Sequence, residues 1–123
     1  MTDKTHLLFG LKKATLDKLY TVFQQHDAIE TVLIYGSRAK GNYRVGSDID
    51  LTIKGRLLPF FEFLQIEDQI DDLYLPYMVD LSQYEKLTNG DLIEHIDRIG
   101  VNIYTRDTSN CKFQYKNRTS GQA

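Results

Sequence analysis

The stretch Thr31-Val32-Leu33-Ile34-Tyr35-Gly36-Ser37, followed by Ser47-Asp48-Ile49-Asp50-Leu51, decides how this chain folds. Thr31 to Tyr35 is apolar, rich in β-branched residues and too short for a helix, which predicts a buried strand. Ile49 to Ile53 reads as a second strand, stopped by Lys54-Gly55. Alternate side chains share a face of an extended chain. Asp48 and Asp50 therefore point the same way, about 7 Å apart along the backbone. Between the strands, Gly36 to Gly46 holds three glycines, three basic residues and a serine before Ser47. That composition suggests a turn, a short helical piece and a loop. So long a connection inside a small domain is usually functional.

Outward from this centre, residues 11–26 show amphipathic helical spacing through Leu11, Ala14, Leu16, Leu19, Tyr20 and Phe23. Pro59 suits the first turn of another helix, with Phe60, Phe61, Leu64, Ile70 and Leu73 as its expected buried stripe. Any part of that aromatic run left exposed would be a patch for a partner. Tyr77 to Leu81 reads as a third strand interrupted by the polar Asp80. Leu92, Ile93, Ile96 and Ile99 form a last helical stripe, ended by Gly100, and Val101 to Tyr104 is a short fourth strand. The order α-β-β-α-β-α-β implies an α/β (α+β) fold, a mixed sheet of about four strands flanked by helices. The expected domain spans 1–104. Residues 105–123 read as a polar tail, loosely ordered or ordered only by a partner.

Composition narrows the possibilities. A chain of 123 residues supports one core, and its 41% hydrophobic and 26% charged content is ordinary for a soluble domain. The net charge of −2 supplies no basic field, so direct nucleic-acid binding is not expected. The N-terminal stretch reads as neither signal peptide nor membrane span, which makes no membrane partner and a cytoplasmic location the default. The single cysteine, Cys111, excludes an intrachain disulfide framework, and His6, His26 and His95 lie too far apart in sequence for a helical zinc pair.

Two carboxylates on one face beside a flexible turn can hold divalent cations against the phosphates of a nucleotide. In nucleotidyl transfer an acceptor displaces pyrophosphate in line at the α-phosphate, so the protein mainly positions groups and stabilises charge. Asp48 and Asp50 are the candidate catalytic and metal-binding pair. Asp80 is the third candidate, provided its strand lies beside Ile49–Ile53; it would ligate metal and help accept the nucleophile's proton. Gly36 lets backbone approach phosphate closely, and Ser37 can donate hydrogen bonds. Arg38, and more distantly Lys40 and Arg44, are candidate phosphate neutralisers. The loop is neither a P-loop nor a dinucleotide fingerprint, because it has neither spacing.

The segments Gly36-Ser37-Arg38-Ala39-Lys40-Gly41 and Ser47-Asp48-Ile49-Asp50-Leu51 resemble the signature of the DNA polymerase β-like nucleotidyltransferase superfamily. Their wording and the short chain are similar to its minimal nucleotidyltransferase (MNT) family, from about Thr31 to Leu81. The resemblance implies phosphate binding at Gly36 and Ser37, and metal binding at Asp48, Asp50 and Asp80. It implies Mg²⁺, with two ions, and ATP as the nucleotide. It also implies an antitoxin role beside a helical HEPN-type toxin, with AMP passed to a tyrosine of that partner. Size agrees, since so small a domain has little surface to enclose an acceptor. Two alternatives stand beside this one: transfer to a small hydroxylated molecule such as an aminoglycoside, and a non-catalytic antitoxin that acts by docking.

Overall fold

The computed structural model describes residues 8–106. Helix α1 (Lys13–Phe23) leads into strand β1 (Ile29–Tyr35), a short helix α2 (Gly36–Lys40) and strand β2 (Ile49–Gly55). Helix α3 (Phe60–Asp71), strand β3 (Val79–Gln83), a 3₁₀ turn (Tyr84–Lys86), helix α4 (Gly90–Ile99) and strand β4 (Val101–Thr105) follow. The four strands lie in the order β3-β2-β1-β4. β1 runs antiparallel to β2 and β4, whereas β2 and β3 are parallel. The expected mixed α/β sheet is therefore present. Among the described residues no helix is long and apolar enough to cross a membrane.

Strand alternation divides the core. Val32, Ile34, Ile49, Leu51, Ile53 and Leu81 belong to the large apolar cluster, packed with Leu16, Leu19, Val22 and Phe23 of α1 and Ile66 and Ile70 of α3. Leu33 and Tyr35, which alternate with Val32 and Ile34 along β1, pack with Ile96 of α4 in a smaller second cluster. The second face of the sheet is thus only partly covered. The acidic residues of β2 and β3 fall on that sparsely covered face, because they alternate with Ile49, Leu51 and Leu81.

Two local expectations need correction. Phe60, Phe61 and Leu64 do not form the buried stripe of α3: Phe61 is 73% exposed, while Ile66 is 0% exposed. The buried side runs through Phe63, Ile66 and Ile70 at helical spacing. Leu58, ahead of the helix, fills the core in place of the first turn, and its N–H donates to Gln83 Oε1 at 2.9 Å. Buried His26 bridges Glu62 (2.8 Å) and Gln69 (2.8 Å) on the inward side of α3. The domain boundary also shifts. β4 includes Thr105, and Arg106 donates from its main chain to Glu30 O (2.8 Å) and from Nε to Ile29 O (3.0 Å). The remainder of the expected tail, 107–123, lies outside the described residues, as do His6 and Cys111.

This packing separates two substitutions on one helix. Ile66→Ala should cost about 2–4 kcal/mol of unfolding free energy, since it opens a cavity in a filled core. Phe61→Ser should change stability by less than about 0.5 kcal/mol. Urea denaturation of the two variants checks both values.

Candidate active site

The sheet register assembles the site. Asp50 pairs with Asp80 across the parallel β2–β3 ladder, and with Tyr35 across the antiparallel β1–β2 ladder. Tyr35, Asp50 and Asp80 therefore stand in one row on one face. Asp48 precedes β2 by one residue and is exposed. The structure thus brings Asp48, Asp50 and Asp80 to the same end of the same face, as the condition on the Asp80 strand required. In the next row, Ser82 Oγ donates to Thr52 Oγ1 at 2.9 Å, a hydroxyl pair that ties β3 to β2 beneath the acids.

Gly36 follows Tyr35 at the end of β1 and has φ +75°. A Cβ there would collide with Asp50 Oδ2, so glycine is needed both for the backbone conformation and for space. This second reason is invisible in the sequence, since it depends on the neighbouring strand. Ser37, the second residue of the short α2, is partly exposed, with its carbonyl accepting from Gly41 N at 2.9 Å. Lys40 and Arg44 are exposed.

Arg38 departs from its expected role. It is 3% exposed, and its guanidinium donates to Ser47 O (3.1 Å from Nε, 2.8 Å from Nη2) and to Phe9 O (2.8 Å from Nη1). The same group lies over the rings of Tyr77 (4.8 Å) and Tyr43 (5.3 Å). Three donors directed at main-chain carbonyls leave this side chain as a brace for the loop rather than a phosphate neutraliser. Its anchor, Ser47, is the residue immediately before Asp48, so Arg38 holds the entry to the acidic strand. A basic residue in a glycine loop gave no sequence signal that separates these two uses.

Sequence reasoning set His95 aside as a zinc ligand and gave it no other role. It projects from α4 to the turn, where its Nε2 accepts the Gly36 N–H at 3.1 Å, and its ring meets that of Tyr35 edge-on at 6.1 Å. No sequence spacing relates two residues so far apart in the chain.

The acids crowd one another. Burial raises the Asp50 carboxyl above its usual range; the charges of Asp80 and Asp48 add to this, partly offset by the His95 imidazole. Burial also pushes the Tyr35 phenol up; Asp80 and Asp50 reinforce the shift and a hydrogen bond with Ser82 opposes it. Among the described residues no three acidic, histidine or cysteine side chains close into a finished cation cage.

A glycine-serine turn at the end of β1, beside same-face aspartates on a mixed sheet, accords with a nucleotidyl-transferring enzyme. The sequence matches the family described as polymerase beta, nucleotidyltransferase, over residues 17–109. The chain belongs to this family and is a nucleotidyltransferase. Comparison with curated proteins finds no match. The fold recurs in a toxin–antitoxin complex with AMP-PNP, at 16% identity and TM-score 0.60, covering 81% of this chain and 78% of that one. It recurs in the complex of tri-AMPylated Shewanella oneidensis HEPN toxin with MNT antitoxin, at 13% identity and TM-score 0.57, covering 80% and 76%. A further likeness is the toxin–antitoxin MntA-HepT, at 13% identity and TM-score 0.57, covering 77% and 74%.

The raised Asp50 pKa has a definite sign for stability. Between the ordinary carboxylate range and the raised folded value, the folded state binds the extra proton, so stability falls as pH rises through that window. Above that window the penalty is fully present. Asp50→Asn removes it and should raise the melting temperature of the metal-free protein at pH 7, with the difference shrinking toward pH 4. Thermal melts across that range measure both trends.

Proposed function

We propose that this chain is an antitoxin-type minimal nucleotidyltransferase, which transfers AMP from ATP to a tyrosine hydroxyl of a HEPN-type toxin. The observation that carries the proposal is the row of Asp50 and Asp80, with Asp48 beside them, set against the Gly36-Ser37 turn. The solved complexes of the same fold supply the partner class and the modification. Exposure of Asp48 and Asp80 supports it further, because an open site suits an acceptor that arrives on another protein.

The donor set fits magnesium. Three carboxylate side chains share one end of the sheet, and such oxygen donors, together with the phosphates of a nucleotide, are the ligands magnesium takes. Asp48, Asp50 and Asp80 would hold the ions; when bound, magnesium neutralises phosphate charge and orients the reacting oxygens. The chain's own residues do the rest. The Gly36-Ser37 turn receives the triphosphate, with Ser37 donating to its oxygens and the bare Gly36 Cα allowing close approach. The acceptor oxygen forms a bond to the α-phosphorus while the bond from that phosphorus to the pyrophosphate oxygen breaks. Asp80 accepts the hydroxyl proton, and pyrophosphate leaves with the bonding electron pair. Arg38 keeps Ser47, and through it Asp48, in place during this exchange.

The test is α-labelled ATP and Mg²⁺ with the protein in a lysate of its source cells, compared with Asp48→Asn. One discrete labelled protein band is expected, reduced at least about 100-fold by the substitution, the scale on which positioned electrostatic groups act. Label in small molecules instead would favour transfer to a compound such as an aminoglycoside. Partner capture without aspartate-dependent label would favour the docking antitoxin.

A further inference from the structure

We infer that His95 is a positioning residue for the nucleotide turn: through its imidazole, helix α4 selects the conformation of Gly36 in which the turn and Asp50 fit together. The inference rests on reading Gly36-Ser37 as the phosphate-binding turn. A main-chain N–H can only donate, so Nε2 of His95 is the unprotonated acceptor of the 3.1 Å bond and the ring proton sits on Nδ1. Gly36 has no Cβ and visits positive and negative φ with comparable ease. Something must select the +75° state, in which the bare Cα faces the Asp50 carboxylate. Tyr35, which precedes Gly36, makes no side-chain capping hydrogen bond at the start of α2. His95 supplies the selection from across the fold, with the Tyr35 ring edge-on beside it.

A plain packing role does not account for the residue. α4 is seated on the sheet by Ile96, 1% exposed against Leu33 and Tyr35, with Leu92 beside it, and is capped by Asn89 accepting from Leu92 N. These contacts hold the helix without an imidazole. What the imidazole adds is one acceptor aimed at one glycine amide. A turn that lacks this acceptor spreads over several conformations, and its apparent affinity for nucleotide falls in proportion to the competent fraction.

Two variants separate the acceptor from the ring. His95→Phe keeps an aromatic ring near Tyr35 and removes the acceptor, whereas His95→Gln keeps an oxygen acceptor at similar reach and removes the ring. ATP binding with Mg²⁺, measured by titration calorimetry, should weaken about 3- to 10-fold in His95→Phe, the worth of one neutral hydrogen bond. It should return to within about 2-fold of the parent in His95→Gln. In the nucleotide-free protein, the Gly36 amide proton should exchange faster in His95→Phe and recover in His95→Gln. Equal ATP affinity in His95→Phe and the parent would overturn the inference, as would equal weakness of both variants. If the parent binds no ATP, the reading of the turn fails. The Gly36 exchange rates then decide whether His95 sets its conformation.

Discussion

Asp50 stands opposite Asp80 on one side and Tyr35 on the other, and the site depends on those two pairings holding their register. A slip of one residue along either ladder would send a carboxylate to the apolar face and an isoleucine or leucine to the site. The core prevents this: Ile49, Leu51 and Ile53 alternate with the acids and are fully or almost fully buried. The hydroxyl pair of Thr52 and Ser82, and the bond from Ile49 N to Met78 O at 2.8 Å, add directional contacts to the same alignment. Apolar burial on one face thus determines the placement of charge on the other.

The consequence is a local conflict that the surrounding structure has to contain. Asp80 and Asp48 both disfavour ionised Asp50, and Tyr35 is held beside the acids with its phenol difficult to ionise. Two devices from elsewhere in the chain hold the parts together. Arg38 fixes Ser47 ahead of the acidic strand and also reaches Phe9 near the start of the described chain. His95 reaches Gly36 from α4. Both make hydrogen bonds to main chain and so shape the backbone around the acids.

Periodicity made most elements legible. β1 and β2 begin or end within two residues of where their β-branched runs place them, and α4 runs through its stripe to Gly100. α3 was legible as a helix but not in phase. Six apolar residues along the helix allow more than one stripe, and in the fold the side that carries Ile66 and Ile70 also carries Glu62 and Gln69, the partners of buried His26. Phe60 and Phe61 fall outside that side and are exposed.

By itself, the sequence determined the presence of two strands joined by a glycine loop and the common face of Asp48 and Asp50. It did so because strand alternation is a property of the local backbone and needs no neighbour. Tertiary structure decided which strand lies beside β2, and so whether Asp80 joins the row; it also decided the use of Arg38 and the arrival of His95. Each of these is a contact between residues distant along the chain. No local pattern encodes such a contact, because it forms only when helices and sheet bury their apolar faces together.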